Sequence, residues 1–261
     1  MPTRRLPLFA RSTPVVAVVH AGPSPGVPGA RDVRSSVDRL VAEARTLVAL
    51  GVDGLLIENT HDQPALAEAE VGHEVVAYLT RAAAAVKRHV GRVPVGVRVI
   101  ADSGRIALAV AHAAGCDFVR ASGWAEDPAA AGRVHRYARL IGADAPAVFA
   151  DFRAPNAEAV PALVAAVQQG QPTALVALGP TPWQMPAEGV VEAVAALAGV
   201  PVFCGGGVHA GTVAALLGVA DGFFVGSGLK ENGRWQSPVC EARVHALIGA
   251  VEYARGQEVR Q

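Results

Sequence analysis

The sequence is poor in cysteine, and its few cysteines lie far apart. Cys116, Cys204 and Cys240 are the only three. They show none of the spacings of metal-binding motifs, and an odd number of separated cysteines does not suggest a disulfide framework. We therefore expect small, mostly buried side chains at these positions and a reducing, cytoplasmic setting.

The chain also lacks an excess of charge and any long apolar run. Only 18% of its 261 residues are charged, and 23 basic residues balance 23 acidic ones. A nucleic-acid-binding surface normally shows as excess lysine and arginine, so we expect no nucleic-acid partner. No uninterrupted span approaches the roughly 20 apolar residues of a transmembrane helix, and Val15–Val19 is too short for the core of a signal peptide. We expect no transmembrane segment.

Hydrophobic residues make up 51% of the chain, and they fall into short strand-like runs separated by amphipathic segments. Strands that are almost continuously apolar are typical of a parallel sheet with both faces covered. The eight predicted strands are Pro14–His20, Gly54–Glu58, Val95–Ile100, Asp117–Ser122, Pro146–Asp151, Thr173–Leu178, the apolar part of Val200–Gly207, and Gly222–Val225.

A predicted helix follows each strand. The helices are Val37–Leu50, Gly72–His89, Ile106–Ala114, Pro128–Ile141, a helix capped by Asn156 that runs to about Gln169, Ala187–Ala198, His209–Leu217, and Val239–Ala254 with Ser237 as N-cap and Pro238 at its first position. Eight such units, about one every 30 residues, predict an α/β fold of the (β/α)8 TIM-barrel type, with residues 1–261 as a single domain.

The alternative is an open, doubly wound sheet. Gly205–Ala210 satisfies the pattern G-x-G-x-x-A of dinucleotide-binding proteins. No acidic residue closes a strand about 20 positions later, so we interpret the match as coincidence and expect no redox cofactor.

Two consecutive predicted strands near the end of the chain stop in glycines. Gly205–Gly207 and Gly226–Gly228 can direct backbone N–H groups at an anion without interference from a Cβ atom. A (β/α)8 barrel commonly binds phosphate with the loops after strands 7 and 8. The predicted phosphate- and substrate-binding residues are Gly206, Gly207, Gly226, Ser227, Gly228 and Lys230, with Ser122 and Trp183 as further contacts. For Trp183, packing of its proline-rich loop is an equally good interpretation.

Polar side chains also close several of the apolar strands, at the barrel end where catalytic groups lie. The candidate catalytic residues are His20, Glu58, Asn59, Arg98, Arg120 and Asp151. Charged groups in such positions cost free energy unless they are paired or bind a ligand, so the alternative for each is an internal salt-bridge network. Asp102 is better interpreted as a helix cap. A divalent metal ion held by Glu58, Asp151 and His20 is a further alternative that no local spacing favours.

Seven short motifs occur in an order that resembles the BtpA/SgcQ-like family, whose members are regarded as TIM barrels and are named partly for a role in photosystem I accumulation. The motifs are His20-x-x-Pro23-x-Pro25-Gly26, Gly51-Val-Asp-Gly-x-x-x-Glu58-Asn59, Val71-Gly72-x-Glu74, Pro94-Val-Gly96, Asp117-Phe-Val-Arg120, Ala150-Asp151 and Val225-Gly-Ser-Gly-Leu-Lys230. The resemblance implies the barrel fold and supports His20, Glu58, Asn59, Arg120, Asp151 and the Gly226–Lys230 loop as residues at the mouth of the barrel.

The chain departs from the family pattern at several strand ends. Arg98 and Ser122 stand where the family pattern has asparagine, Arg153–Pro155 replaces a Lys-His pair, and Gly179–Pro182 lacks the Thr-Gly character of the family. The resemblance therefore implies a shared scaffold with altered substrate contacts.

The motifs together predict an enzyme that acts on a small phosphorylated metabolite, either a sugar phosphate or a nucleotide-like compound. Glycine amides would hold the phosphate while carboxylates and His20 perform acid–base chemistry without a redox cofactor. Glycosyl-bond cleavage or transfer, lyase and isomerase reactions all fit, and glycosyl-bond chemistry is preferred. The alternative, implied by the resemblance, is a non-catalytic assembly or stability factor for a photosynthetic or other complex. We also expect a homo-oligomer.

Overall fold

Eight parallel strands close into a barrel in the computed structural model, which describes residues 4–100, 104–124, 126–143 and 146–258. Each strand pairs with its neighbour in sequence, and the first pairs with the last. The strands are β1 Val15–His20, β2 Gly54–Glu58, β3 Val95–Arg98, β4 Phe118–Ala121, β5 Ala147–Arg153, β6 Ala174–Leu178, β7 Val202–Gly205 and β8 Gly222–Val225. The predicted TIM barrel is confirmed.

The α-helices pack on the outside of the barrel. They are α1 Val33–Ala49, α2 His73–His89, α3 Gly104–Ala114, α4 Pro128–Leu140, α5 Val160–Gln168, α6 Glu188–Leu197 and α7 Glu241–Glu258. Polar side chains start two of them, since Asp32 accepts a hydrogen bond from the Ser35 amide and Asp127 accepts one from Ala129. The predicted cap Asp102 lies outside the described residues. Within those ranges, no helix is long and apolar enough to cross a membrane.

Two predicted helices differ from the observed ones. The segment His209–Leu217 contains only a short 3-10 turn at Val213–Ala215, where the Thr212 hydroxyl donates to the Gly207 carbonyl and holds the chain in a turn. Ser237 and Pro238 do not start the last helix, which begins at Glu241. The reason is local, because the Ser237 amide donates to the Arg234 carbonyl and the following residues form a bridge to Lys230.

Aromatic rings fill the inside of the barrel. Phe149 lies at the centre, with its ring centroid 5.1 Å from those of Phe118 and Phe203 and 5.4 Å from that of Phe224. A side chain at Gly96, on the neighbouring strand, would clash with the Phe118 ring, because a Cβ atom there would lie 2.1 Å from it. Phe9, from the segment before β1, packs against these rings and is almost completely buried.

The same inward-facing rows continue to the C-terminal ends of the strands. Because side chains alternate along a strand, Arg120 faces the interior two residues after Phe118, and Asp151 does so two residues after Phe149. Arg120 also places its guanidinium carbon 5.0 Å from the centroid of the Phe224 ring. The apolar core of the barrel thus ends in a charged layer.

Candidate active site

Four charged side chains from β2, β3, β4 and β5 form one ion-pair network at the C-terminal end of the barrel. Arg98 Nη1 lies 2.9 Å from Glu58 Oε2, and Arg98 Nη2 lies 3.3 Å from Asp151 Oδ2. Arg120 Nε donates to Asp151 Oδ1 at 2.6 Å. The structure therefore brings together these four predicted residues, and Arg98 bridges the two carboxylates.

Two hydroxyl groups complete the network. Ser122 Oγ donates to Asp151 Oδ2 at 2.8 Å and accepts from Arg98 Nη2 at 3.1 Å. Thr60 Oγ1 donates to Glu58 Oε1 at 2.7 Å. Every carboxylate oxygen in the network thus has a donor, which offsets the cost of burying the charge. Ser122, predicted as a substrate contact, belongs to this network.

A cavity of about 460 Å³ opens above the network. Arg98, Arg120 and Glu58 line this mouth cavity, whereas Asp151 and Asn59 are not among its lining residues. Asp151 is 7% exposed and lies behind the two arginines that it pairs with. The guanidinium groups, rather than the Asp151 carboxylate, are therefore the groups that a ligand would meet, and Asp151 is placed to position them.

The two glycine loops form another part of the cavity wall. Gly206, Gly207, Ser227 and Gly228 all line it, and among the described residues their backbone N–H groups donate no hydrogen bond. Gly206 and Gly207 have φ angles of 78° and 62°, which favour glycine. Gly228 is sterically required as well, since a Cβ atom there would lie 2.0 Å from the Val208 carbonyl oxygen. Four free amides on one cavity are suited to hold an anion.

The ionisation states in the cavity follow from burial and from the arginines. Burial raises the pKa of Glu58, but the positive charges of Arg98 and Arg120 outweigh this effect and lower it to about 2. Glu58 is therefore ionised at neutral pH and cannot donate a proton. Burial lowers the pKa of His20 to about 4, with Lys230 adding to the shift and Glu58 opposing it. His20 is therefore neutral at pH 7.

Other predicted residues take different positions. Asn59 crosslinks two segments, since its Nδ2 donates to Asp62 at 2.9 Å and its Oδ1 accepts from the Ile100 amide at 3.0 Å. Trp183 stands at the rim of the mouth cavity and is 62% exposed. Lys230 was predicted to bind phosphate together with Gly226–Gly228. Its Nζ instead donates to Glu43 and faces a neighbouring cavity.

Comparison with known proteins identifies the family of the chain. The sequence model of the BtpA family matches residues 11–253. The chain belongs to the BtpA family. An uncharacterized protein of Archaeoglobus fulgidus is 34% identical over 84% of this chain and 92% of its own length. The photosystem I biogenesis protein BtpA of Synechocystis is 29% identical over 93% of this chain and 89% of its own length.

Solved structures with the same fold share little sequence with this BtpA-family chain. The 3-hexulose-6-phosphate synthase of Salmonella typhimurium superposes with a TM-score of 0.60 at 17% identity, covering 94% of this chain and 99% of its own. A thiamine phosphate pyrophosphorylase from Pyrococcus furiosus gives 0.58 at 12% identity, covering 92% and 96%. These similarities establish the barrel fold only.

Thr60 and Trp235 are among the residues of the mouth cavity that the sequence did not predict as site residues. Thr60 lies two positions after Glu58, and this proximity in sequence could have indicated that it is a site residue. Trp235 follows β8 by several residues and contacts His20 and His61, with ring centroids 5.6 and 4.6 Å apart. No pattern indicates that contact. Among the described residues, no group of three His, Cys, Asp or Glu side chains is placed to hold a metal ion.

The neutral state of His20 predicts a measurable pH dependence of stability. The pKa of His20 is about 4 in the folded protein and 6.5 for a free side chain. Between pH 6.5 and pH 4, the unfolded chain therefore carries a proton on this side chain that the folded protein does not. Acidification from pH 7 to pH 5 should therefore lower the free energy of unfolding by about 2 kcal/mol through this group.

Chemical denaturation at both pH values tests this expectation. His20→Gln should lose that part of the pH dependence, whereas His112→Gln, at an exposed position of α3, should behave like the unchanged protein. An identical pH dependence in the unchanged protein and in His20→Gln would contradict the assignment.

Proposed function

We propose that this BtpA-family protein is an enzyme that binds a small phosphorylated metabolite in the mouth cavity. The observation that carries the proposal is that backbone amides from the loops after β7 and β8, which have no acceptor among the described residues, line the same cavity as Arg98 and Arg120. Amides at glycine loops and guanidinium groups are both strong donors to phosphate oxygens. A neutral metabolite would offer these amides no strongly accepting oxygen.

The comparisons support the substrate class without identifying the substrate. The names of two solved barrels with this fold, 3-hexulose-6-phosphate synthase and thiamine phosphate pyrophosphorylase, refer to phosphorylated compounds. A barrel binds such compounds with loops at the C-terminal ends of its strands, which is where the free amides lie in this chain.

The charges of the cavity favour one type of chemistry within this class. Arg98 and Arg120 present positive charge, and Glu58 is held as a fixed anion by Arg98 and Thr60. Positive charge stabilises a transition state in which negative charge develops on a substrate oxygen, as in lyase and isomerase reactions. Glycosyl-bond cleavage needs the opposite, carboxylates that stabilise positive charge. We therefore favour a lyase or isomerase over the glycosyl-bond reaction that the sequence suggested.

His20 supplies the proton transfer in this proposal. It lines the mouth cavity and is neutral at pH 7. A neutral imidazole can accept a proton from a substrate carbon or oxygen and return it later in the cycle. Asp151 acts indirectly, by fixing the two guanidinium groups.

A ligand screen followed by one substitution tests the proposal. Among sugar phosphates and nucleotides, a ligand that binds the folded protein at about 100 times its Kd should raise the free energy of unfolding by about 2.7 kcal/mol, which thermal denaturation detects. Ser227→Ala should then weaken the binding of that ligand roughly three- to tenfold and raise KM with little change in kcat. The reason is that it removes the Ser227 hydroxyl, a donor that would serve the ground state and the transition state equally.

Ser35→Ala, on the exposed face of α1, is the matched control and should bind the ligand normally. If Ser227→Ala and Arg98→Gln both bind the ligand as tightly as the unchanged protein, the ligand occupies another site and the proposal fails.

A non-catalytic assembly role is the second candidate, and the name of the Synechocystis relative is what favours it. In that case the mouth cavity would have no ligand, and no phosphorylated compound in the screen would shift the thermal transition.

A further inference from the structure

A second cavity of about 490 Å³ lies beside the mouth cavity. Its wall is formed by the loops after β1 and β2, residues 36–43 of α1 and the segment after β8. His20 and Trp235 line both cavities, so the two spaces adjoin at these side chains. The second cavity therefore borders the residue to which the proposed function assigns proton transfer.

The side chains around the second cavity carry a surplus of positive charge. Lys230, Arg31 and Arg39 line it, and Glu43 is the one carboxylate among its described lining residues. Glu43 forms an ion pair with Lys230. Neither arginine forms an ion pair with a carboxylate in the described part of the chain, where the Arg39 guanidinium donates one hydrogen bond, to Ser36 Oγ at 3.4 Å.

Lys230 is the buried member of this group. It is only 2% exposed, and an ammonium group at such depth is costly unless its donors are used. One of its three N–H bonds is directed at Glu43, and within the described residues its Nζ makes no other hydrogen bond. A buried ammonium with spare donors, next to two arginines without carboxylate partners, is complementary to an anionic oxygen group.

We propose that the second cavity binds a second anionic group of the substrate, a phosphate or a carboxylate, held by Lys230, Arg31 and Arg39. The substrate class is then a doubly anionic metabolite whose reacting part lies next to His20, between the two anchors. The inference rests on the proposed function for the first anchor, on the glycine loops, but the second anchor is a separate binding site with its own residues.

Crystals soaked in tungstate, a tetrahedral dianion located by its anomalous scattering, test the two anchors separately. The expected result is one tungstate against the amides of Gly207 and Ser227 and a second within hydrogen-bond distance of Lys230 and Arg39. Arg39→Gln, an exposed position that should not disturb folding, should lose the second tungstate and keep the first. Arg34→Gln, an exposed arginine of the same helix that lines neither cavity, should keep both.

The outcomes separate this inference from the proposed function. Tungstate on the glycine loops alone would overturn the second anchor and leave the first intact. Tungstate in the second cavity alone, lost in Arg39→Gln, would support the second anchor and contradict the first. A second tungstate that persists in Arg39→Gln is an adventitious ion only and overturns the inference. Absence of bound tungstate at both positions would overturn both proposals.

Discussion

Replacing Arg120 with methionine should lower the free energy of unfolding by about 3–5 kcal/mol, the range expected when one partner of a buried ion pair is removed. Arg120 and Asp151 are 7% exposed as side chains, and Arg120 Nε lies 2.6 Å from Asp151 Oδ1. Methionine keeps much of the apolar volume above Phe224 but removes one of the two positively charged partners of the Asp151 carboxylate. Arg98, at 3.3 Å and shared with Glu58, compensates only in part.

A double-mutant cycle at pH 7, measured by urea denaturation, isolates this effect from general damage to the core. Asp151→Asn removes the charge that Arg120→Met leaves unpaired. The double variant should therefore be more stable than Arg120→Met alone, by roughly 1–3 kcal/mol. Purely additive losses would show that the two side chains are not energetically coupled, and the account of the charged layer would then be wrong.

Replacing Phe9 with alanine should cost about 3–5 kcal/mol of stability, as expected for truncating a buried aromatic side chain. Phe9 closes the end of the barrel opposite the cavity, with its ring centroid 5.9 Å from that of Phe203 and 6.2 Å from that of Phe118. Its removal leaves a space bounded by the strands themselves, which cannot collapse without breaking the closed sheet.

Denaturant unfolding of three variants checks this prediction. Phe9→Ala should show the full loss, Phe9→Leu a much smaller one because most of the apolar volume stays, and Leu140→Ala almost none because Leu140 is 80% exposed. A loss for Phe9→Ala no greater than for Leu140→Ala would mean that the segment before β1 does not close the barrel in solution. Ligand binding at the distant cavity should be unchanged in Phe9→Leu.

Local sequence patterns determined the barrel and the inward face of its strands. Apolar strands alternating with amphipathic helices predicted a closed parallel sheet, because only such a sheet buries both faces of every strand. Alternation then placed Glu58, Arg98, Arg120 and Asp151 on the interior. Side chains two residues apart on a strand face the same side, so the aromatic core positions determine which later residues also face inward. Glycines at the ends of β7 and β8 indicated where backbone amides would be free.

Helical periodicity was less reliable in two segments where nearby residues offer the backbone other hydrogen bonds. The apolar segment His209–Leu217 has helical periodicity, yet hydrogen bonds from Thr212 keep it in turns between β7 and β8. Ser237 and Pro238 look like a helix start, but the bridge between Lys230 and Val239 delays the helix to Glu241. Helix propensity is a weak prior, and competing hydrogen bonds to nearby residues override it in both segments.

The tertiary structure alone decided which charged groups pair and which face a ligand. Asp151 lies behind Arg98 and Arg120 because three neighbouring strands bring these side chains into contact, and no spacing along the chain encodes that contact. Lys230 points to Glu43 on α1, 187 residues away in sequence, and so leaves the glycine loop that it follows. The sequence by itself determined the scaffold and the residues at its mouth, because these follow from periods of a few residues. Ion-pair partners and cavity walls depend on strand register and loop paths, which exist only once the barrel has closed.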